Sequence, residues 1–457
     1  METPTTQSVA PSNDPRGSQI PDLVKIGSIP SSTVMDVDTS VLEPVQHSQT
    51  TCRFVLENKG ILHSHSKIVV SCKVGSSATP GWYPINVGAY ALIKNCRLMS
   101  GGKTIIEQRD FNTYMAYDSM FISNEHNVEK ELYSTGRLIN HNFMYDPSAS
   151  GSKAKGVTID TGIAVDLDDD NFRVPGYIER NAESQFALSL SDLFPFLKQQ
   201  QLPLFMMKEQ ITIELEFAEN GDRMWIPSGN NPTIDIDTTQ TVLIADYQFY
   251  PEDMMSSFAS QNNPLTLTYM VNRLSKQTLD TGTELKIRNI GGNGRIVTKI
   301  IASLQDESTS NANPLGAFHS LAPAGANASS NGSITLNVKY NNHLLYPLDV
   351  SNYSQHQHHL SQAQGMVPFV TRYEYCGEGT DSSMTSVNLE GIDQRTNLKG
   401  RFCWQAHRLN RNERINSRGI EYQATYKNNS GARTQRIWLE MVRMATLSEG
   451  KFTIVDA

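Results

Sequence analysis

Cysteine is scarce in this chain of 457 residues. There are five (Cys52, Cys72, Cys96, Cys376 and Cys403), widely spaced, odd in number and without a C-x-x-C pair. That excludes a disulfide framework or a zinc ribbon and points to reduced thiols in a cytosolic compartment. No apolar run approaches the eighteen or so residues that a membrane-spanning helix requires. The first twenty residues, METPTTQSVAPSNDPRGSQI, have neither a cationic start nor an apolar core, so no secretion signal is expected. Positive charge is also in short supply: 39 Lys and Arg stand against 47 Asp and Glu, a net charge of −8. Such a chain does not coat itself with the cationic surface that phosphate binding needs, and sequence-specific nucleic-acid binding is not expected. Missing too are G-x-S-x-G, a P-loop and a G-x-G-x-x-G opening a helix. No catalytic residue, metal site or cofactor is therefore assigned, and an enzyme is not expected.

What is present is a polar but globular composition, 38% hydrophobic and 19% charged. Residues 1–30, rich in Pro, Ser, Thr and Gln and without a period, read as a flexible arm. From about residue 50 the dominant signal is alternation, the period of a half-buried strand. Ile211-Thr212-Ile213-Glu214-Leu215-Glu216-Phe217 is the clearest case, and Ile334–Tyr340 repeats it. Similar strands are expected at 54–56, 67–74, 92–99, 241–249, 265–271, 285–290, 295–304, 400–407, 420–426 and 435–444. Short strands broken by turn clusters predict an all-β sandwich. Helix signals are few: Asp110–Met120 with Asp110 as the cap, a stretch opening at Ser191 with Pro195 in its first turns, and Ser351–Gln364.

Two halves superimpose at a constant offset of 239. Ile105-Ile106, Asp110-Phe111 and Tyr114 match Leu344-Leu345, Asp349-Val350 and Tyr353, each set following a turn (Ser100-Gly101-Gly102; Asn341-Asn342). This suggests two copies of one β module. The expected division is an arm at 1–30, a first module at 31–250, a linker at 251–264 (PEDMMSSFASQNNP, a short helix and a turn) and a second module at 265–457. Long polar loops fall at 147–175, 305–333 and 377–397, lengths that usually mark function or projection.

Four clusters have residue types that could carry chemistry. His63 and His65 lie near a strand start, where period two would place both on one face, but no carboxylate follows to complete a cupin-like ligand set, so solvated histidines are the better reading. His356, His358 and His359 lack the i, i+4 spacing of a helical zinc pair, which leaves a solvated or interface helix. Asp166–Asp170 is acidic but lacks the Gly and terminal Glu of a calcium loop. Residues 395–418 carry seven basic side chains (Arg395, Lys399, Arg401, Arg408, Arg411, Arg414, Arg418) against Glu413, with Phe402 and Trp404 interleaved. Contact with phosphate is one reading; pairing with acidic neighbours in a subunit contact is the commoner one. Gly291-Gly292-Asn293-Gly294 reads as a turn between strands. The sequons at Asn327, Asn331, Asn352 and Asn428 read as products of an Asn/Ser-rich composition.

The segment FALSLSDLFPFLKQQQLPLFMMKEQITIELEF (186–217) resembles the late strand–helix–strand of the first jelly roll in double jelly-roll major capsid proteins of polinton-like viruses, virophages and nucleocytoplasmic large DNA viruses. ALIKNCRLMSGGKTIIEQ leading into DFNTYMAY (91–117) is similar to the hairpin that feeds a helix in the same family. Together these cover about 60 residues closely. The resemblance implies two tandem eight-stranded antiparallel jelly rolls and a structural role as a homotrimeric, pseudo-hexameric capsomer of an icosahedral shell. It implies a virion location, synthesis in the host cytoplasm, and neighbouring capsomers, penton and minor capsid proteins as partners. The basic region 395–418 would then contact an internal membrane or the genome. A β-sandwich glycan-binding or attachment protein is the alternative; it would want exposed aromatics beside Asp or Asn, which the loops largely lack.

Overall fold

The computed structural model describes residues 36–74, 81–82, 87–118, 134–136, 156–157, 164–165, 177–178, 183–198, 201–219, 234–279, 282–306, 333–351, 353–364, 404–409, 413–429 and 433–455. The expected arm at 1–30, the acidic run 166–170, nearly all of the three long loops, and Cys376 and Cys403 lie outside them.

Eight principal strands come first: β1 (Asp36–Leu42), β2 (Thr51–Val55), β3 (Lys67–Val74), β4 (Ile93–Ser100), β5 (Lys103–Arg109), β6 (Glu183–Ser189), β7 (Ile211–Phe217) and β8 (Val242–Phe249). They form two antiparallel sheets, in the orders β1-β8-β3-β6 and β2-β7-β4-β5. Eight more follow: β9 (Leu265–Leu279), β10 (Gly282–Gly291), β11 (Val297–Asp306), β12 (Ser333–Tyr340), β13 (His343–Leu344), β14 (Trp404–Arg408), β15 (Ile420–Asn429) and β16 (Arg433–Ser448). Their sheets run β9-β16-β11-β14 and β10-β15-β12-β13. Both sets have the order first-eighth-third-sixth and second-seventh-fourth-fifth. That is jelly-roll topology, twice, and the tandem jelly rolls expected from the resemblance are the fold.

Binary patterning builds each sandwich. In β7 Ile211, Ile213, Leu215 and Phe217 are buried, while Thr212, Glu214 and Glu216 face outward. Each fully buried apolar side chain of this size contributes about 1.5–3 kcal/mol. The outward residues are organised as well. Arg53, Glu214, Arg97 and Glu107 stand opposite one another across β2, β7, β4 and β5, joined by ion pairs of 2.5, 2.8 and 2.8 Å. A one-residue slip would break every rung, so the ladder holds register more than it adds stability.

Helices occupy the connections: α1 (Phe111–Asp118) after β5, α2 (Glu252–Gln261) between the modules, and α3 (Tyr353–Gln364) after β13. The 239-residue repeat thus marks the fifth strand and the helix that follows it in both modules. Two local expectations need correction. Asp110 does not cap α1; its carboxylate turns away to Arg436 and Lys276. The segment at Ser191 is capped two residues earlier, by Ser189, whose hydroxyl accepts from the Ser191 N–H. Its first helical turn ends at Leu193, because Pro195 supplies no N–H and disfavours helical geometry at Phe194.

A further strand, Lys451–Val455, folds back on β16 through a turn at Glu449-Gly450. The Gly450 carbonyl accepts from the Lys208 N–H at 2.9 Å, so this turn docks on the first module. Gly450 has φ +83°, and a Cβ there would lie 2.8 Å from the Lys208 backbone nitrogen. Gly450→Ala is therefore expected to cost about 2 kcal/mol or more, from the left-handed backbone plus the clash. A denaturant titration checks it. Gly102→Ala, at φ +81° with open space around it, isolates the backbone share.

Candidate functional site

No catalytic constellation assembles among the described residues, and none of their His, Cys, Asp and Glu side chains forms a group of three or more able to hold a metal ion. Cys52, Cys72 and Cys96 are buried thiols outside any disulfide. Burial pushes the Cys52 thiol up to about 12, far from a reactive thiolate.

His63 and His65 sit in the turn before β3 rather than on a strand face. Their rings meet edge-on at 4.3 Å, and the His65 backbone N–H donates to His63 Nδ1 at 3.2 Å. Burial and then the neighbouring His65 hold the His63 imidazole below its ordinary value.

The expectation of a solvated or interface helix at His356, His358 and His359 is corrected for His356, which is fully buried. Helix α3 lies against β14 and brings His359 to 4.2 Å from the Tyr346 ring and 6.0 Å from His407. The Tyr346 hydroxyl and His407 Nδ1 share a 2.8 Å hydrogen bond. Burial first, then His356 and His359, drive His407 well below the usual imidazole range. These rings pack as aromatics. Nothing in the spacing of the sequence pointed to His407, since the fold alone brings it to the helix.

Of the basic region, Arg408, Arg414 and Arg418 fall within the described residues and are exposed. Arg418 donates to Asn342 Oδ1 at 3.0 Å across the β12–β13 turn. Arg395, Lys399, Arg401, Arg411 and Phe402 lie outside the described residues.

The most elaborate polar arrangement is the contact between the modules. Strand β5 and helix α1 of the first jelly roll press on β9 and β16 of the second. Asp110 binds Arg436 Nε at 2.8 Å and Lys276 Nζ at 2.5 Å. The Trp438 indole N–H donates to the Arg109 carbonyl at 3.3 Å, and its ring meets Tyr114 edge-on at 6.1 Å. The Ile105 carbonyl accepts from the Tyr269 hydroxyl and from Arg443 Nη1, both at 3.2 Å. Asn272 donates to Gln108, and Tyr117 to Gln364 of α3. Residues far apart in sequence thus fix the two sandwiches side by side, an arrangement suited to holding a shape.

No family model and no curated protein matches the sequence. Solved structures do match over nearly the whole chain. The Faustovirus major capsid protein aligns with a TM-score of 0.56 and 10% identity, covering 90% of each chain. The mavirus major capsid protein gives 0.52 and 12%, covering 100% of this chain and 97% of its own. A capsid chain of the PBCV-1 virus gives 0.51 and 13%, covering 92% and 97%. At such identities the likeness is one of fold.

Proposed function

We propose that this chain is a structural subunit of a viral shell, a major capsid protein that assembles as a homotrimer and places six similar jelly rolls around a pseudo-sixfold axis. The observation that carries this reading is the tandem pair of jelly rolls locked face to edge, matched over about nine-tenths or more of their lengths by solved capsid proteins. In this reading residues 1–30 are an arm beneath the capsomer, 31–250 the first jelly roll, 251–264 the joint and 265–457 the second. The loops at 147–175, 305–333 and 377–397 supply the outward tower and contacts between subunits. Partners are other copies of the chain, neighbouring capsomers, and penton and minor capsid proteins, with region 395–418 turned to an internal membrane or the genome. The protein resides in the virion and carries out no catalysis.

Light scattering coupled to size exclusion tests the reading. Three chains of 50.9 kDa give a particle of about 153 kDa, and negative-stain images of it are expected to show pseudo-hexagonal outlines. A stable species of about 51 kDa under assembly conditions overturns it.

A further inference from the structure

Strand directions bring three connections of the second jelly roll to one end: the turn between β10 and β11 (291–296), the turn between β12 and β13 (341–342) and the approach to β15 (413–419). The connections that contain 305–333 and 377–397 leave from the other end. Asparagines stitch the three segments into one platform. Asn293 Nδ2 donates to the Ser417 carbonyl at 2.8 Å, and Asn341 Nδ2 to the Arg414 carbonyl at 3.3 Å. The Asn416 N–H donates to Asn341 Oδ1 at 2.8 Å, and Asn289 Nδ2 donates to the Arg418 carbonyl. The Gly294 N–H donates to the Ile415 carbonyl at 2.8 Å, and the Ile415 N–H to that of Arg295 at 2.9 Å. The arginines of these segments are thus displayed from a fixed surface.

The platform is basic. Its three segments hold Arg295, Arg414 and Arg418 against one acid, Glu413. Arg273 joins them from β9, where a Cβ on Gly291 would lie 2.9 Å from its Nη1. Arg273, Arg414 and Arg418 are exposed. Burial first, then the charges of Arg443 and Arg273, pulls Arg295 below the ordinary arginine value, so like charges crowd together here. Arg443 donates to the Ile105 carbonyl through Nη1, while its Nε is buried without an acceptor. Ion pairs between described residues engage Lys276, Lys299 and Arg436 of this jelly roll, and not Arg273, Arg414, Arg418 or Arg443. The corresponding end of the first jelly roll is different: Lys59 there pairs with Asp38 and Glu57, and Lys198 with Asp192.

We propose that this end of the second jelly roll binds the phosphate backbone of a nucleic acid, without reading its sequence, through Arg273, Arg414 and Arg418. Arg418 reaches Asn342 while Arg273 lies against Gly291, so the guanidiniums are spread across the surface and match a line of phosphates rather than one anion. Asparagine amides and backbone N–H groups accompany arginine on phosphate and sugar oxygens in such contacts. A lipid surface would reward apolar insertion, and the three segments expose no large apolar side chain. The net charge of −8 does not oppose this, because exposed charges are screened beyond about 10 Å at 0.1 M salt. In the capsid reading the long loops face outward, which turns this end to the interior. The inference rests on that reading, and of the two contacts named there it takes the nucleic acid.

Fluorescence anisotropy of the full-length chain with a labelled single-stranded DNA of mixed sequence, about 30 nucleotides long, tests it. Arg414→Gln is expected to weaken binding about 5-fold near 0.1 M salt and to reduce the slope of log affinity against log salt by about 0.7, one phosphate contact. Arg273→Gln combined with Arg414→Gln is expected to lose about 25-fold. Lys73→Gln removes one exposed charge from β3 of the first jelly roll and is expected to leave binding unchanged. All of these side chains are exposed, and unchanged circular dichroism and thermal transitions confirm that each variant folds. Co-flotation with vesicles of phosphatidylcholine and phosphatidylserine is the second arm, and no loss there is expected from the double substitution. DNA affinity untouched by the double substitution, an equal loss in Lys73→Gln, or a loss confined to vesicles overturns the proposal. Light scattering on the same samples separates the two readings. A monomer that binds DNA through these arginines fails the capsid reading, and a trimer whose DNA affinity ignores them fails this one.

Discussion

Trp438→Ala is expected to destabilise the protein by about 3–5 kcal/mol, the range for emptying a fully buried large aromatic site. Trp438 is 1% exposed and stands where β16 is covered on both faces, by the core of its own sandwich and by α1 and β5 of the first. Truncation opens a cavity at the junction, removes the edge-on contact with Tyr114 and leaves the Arg109 carbonyl without its indole donor. Trp438→Phe separates these effects: it retains most of the apolar volume, loses the N–H, and is expected to cost about 1–2 kcal/mol. Guanidinium unfolding followed by fluorescence and by circular dichroism reads both. In wild type the two jelly rolls are expected to unfold in one transition. In Trp438→Ala the transitions are expected to separate, because the side chain that couples the modules has gone. A loss below 1 kcal/mol with coincident transitions would show that the junction does not couple them.

The same junction explains what the sequence could and could not disclose. Strand β7 is legible because it meets water on one face only, and Ile211 to Phe217 alternates accordingly. Strands β9 and β16 are expected at 265–271 and 435–444 but run Leu265–Leu279 and Arg433–Ser448. Alternation fails in the middle of β16, where the first jelly roll covers the outer face and Ile437, Trp438 and Leu439 are all buried. Strand β1 leaves no alternating signature because its valines point outward and the residues between them, Asp38, Thr39 and Ser40, are polar. The repeat was legible, since Asp110 and Asp349 follow equivalent hairpins. The role of Asp110 was not, because its partner Arg436 lies 326 positions away and local pattern shows only a polar residue before a helix.

Asp110 carries the second large effect. Its side chain is 8% exposed and that of Arg436 11%, while Lys276 at 45% is half in water and adds little. Removing one member of a buried pair leaves the other charged and desolvated, at a cost of about 3–5 kcal/mol. That is the expected loss for Asp110→Ala. Position 110 also has φ +48°, a left-handed conformation that Asp and Asn tolerate better than Ala. Asp110→Asn therefore keeps shape and backbone and removes the charge alone, and most of the loss is expected to remain. The pH dependence has a definite sign. Burial by itself would raise the Asp110 carboxyl, but the Arg436 charge, with hydrogen bonds from Lys276 and Arg436, outweighs it and holds the group below its ordinary value. A carboxyl depressed by folding stabilises above its unfolded value, about 3.9, and that contribution fades as pH falls through the folded one. The stability gap between wild type and Asp110→Asn is thus expected to be full at pH 6–7 and to close progressively below about pH 4. A gap that is unchanged in acid would mean that the Asn amide fails for reasons of packing, and that the charge of Asp110 is not what binds the two jelly rolls.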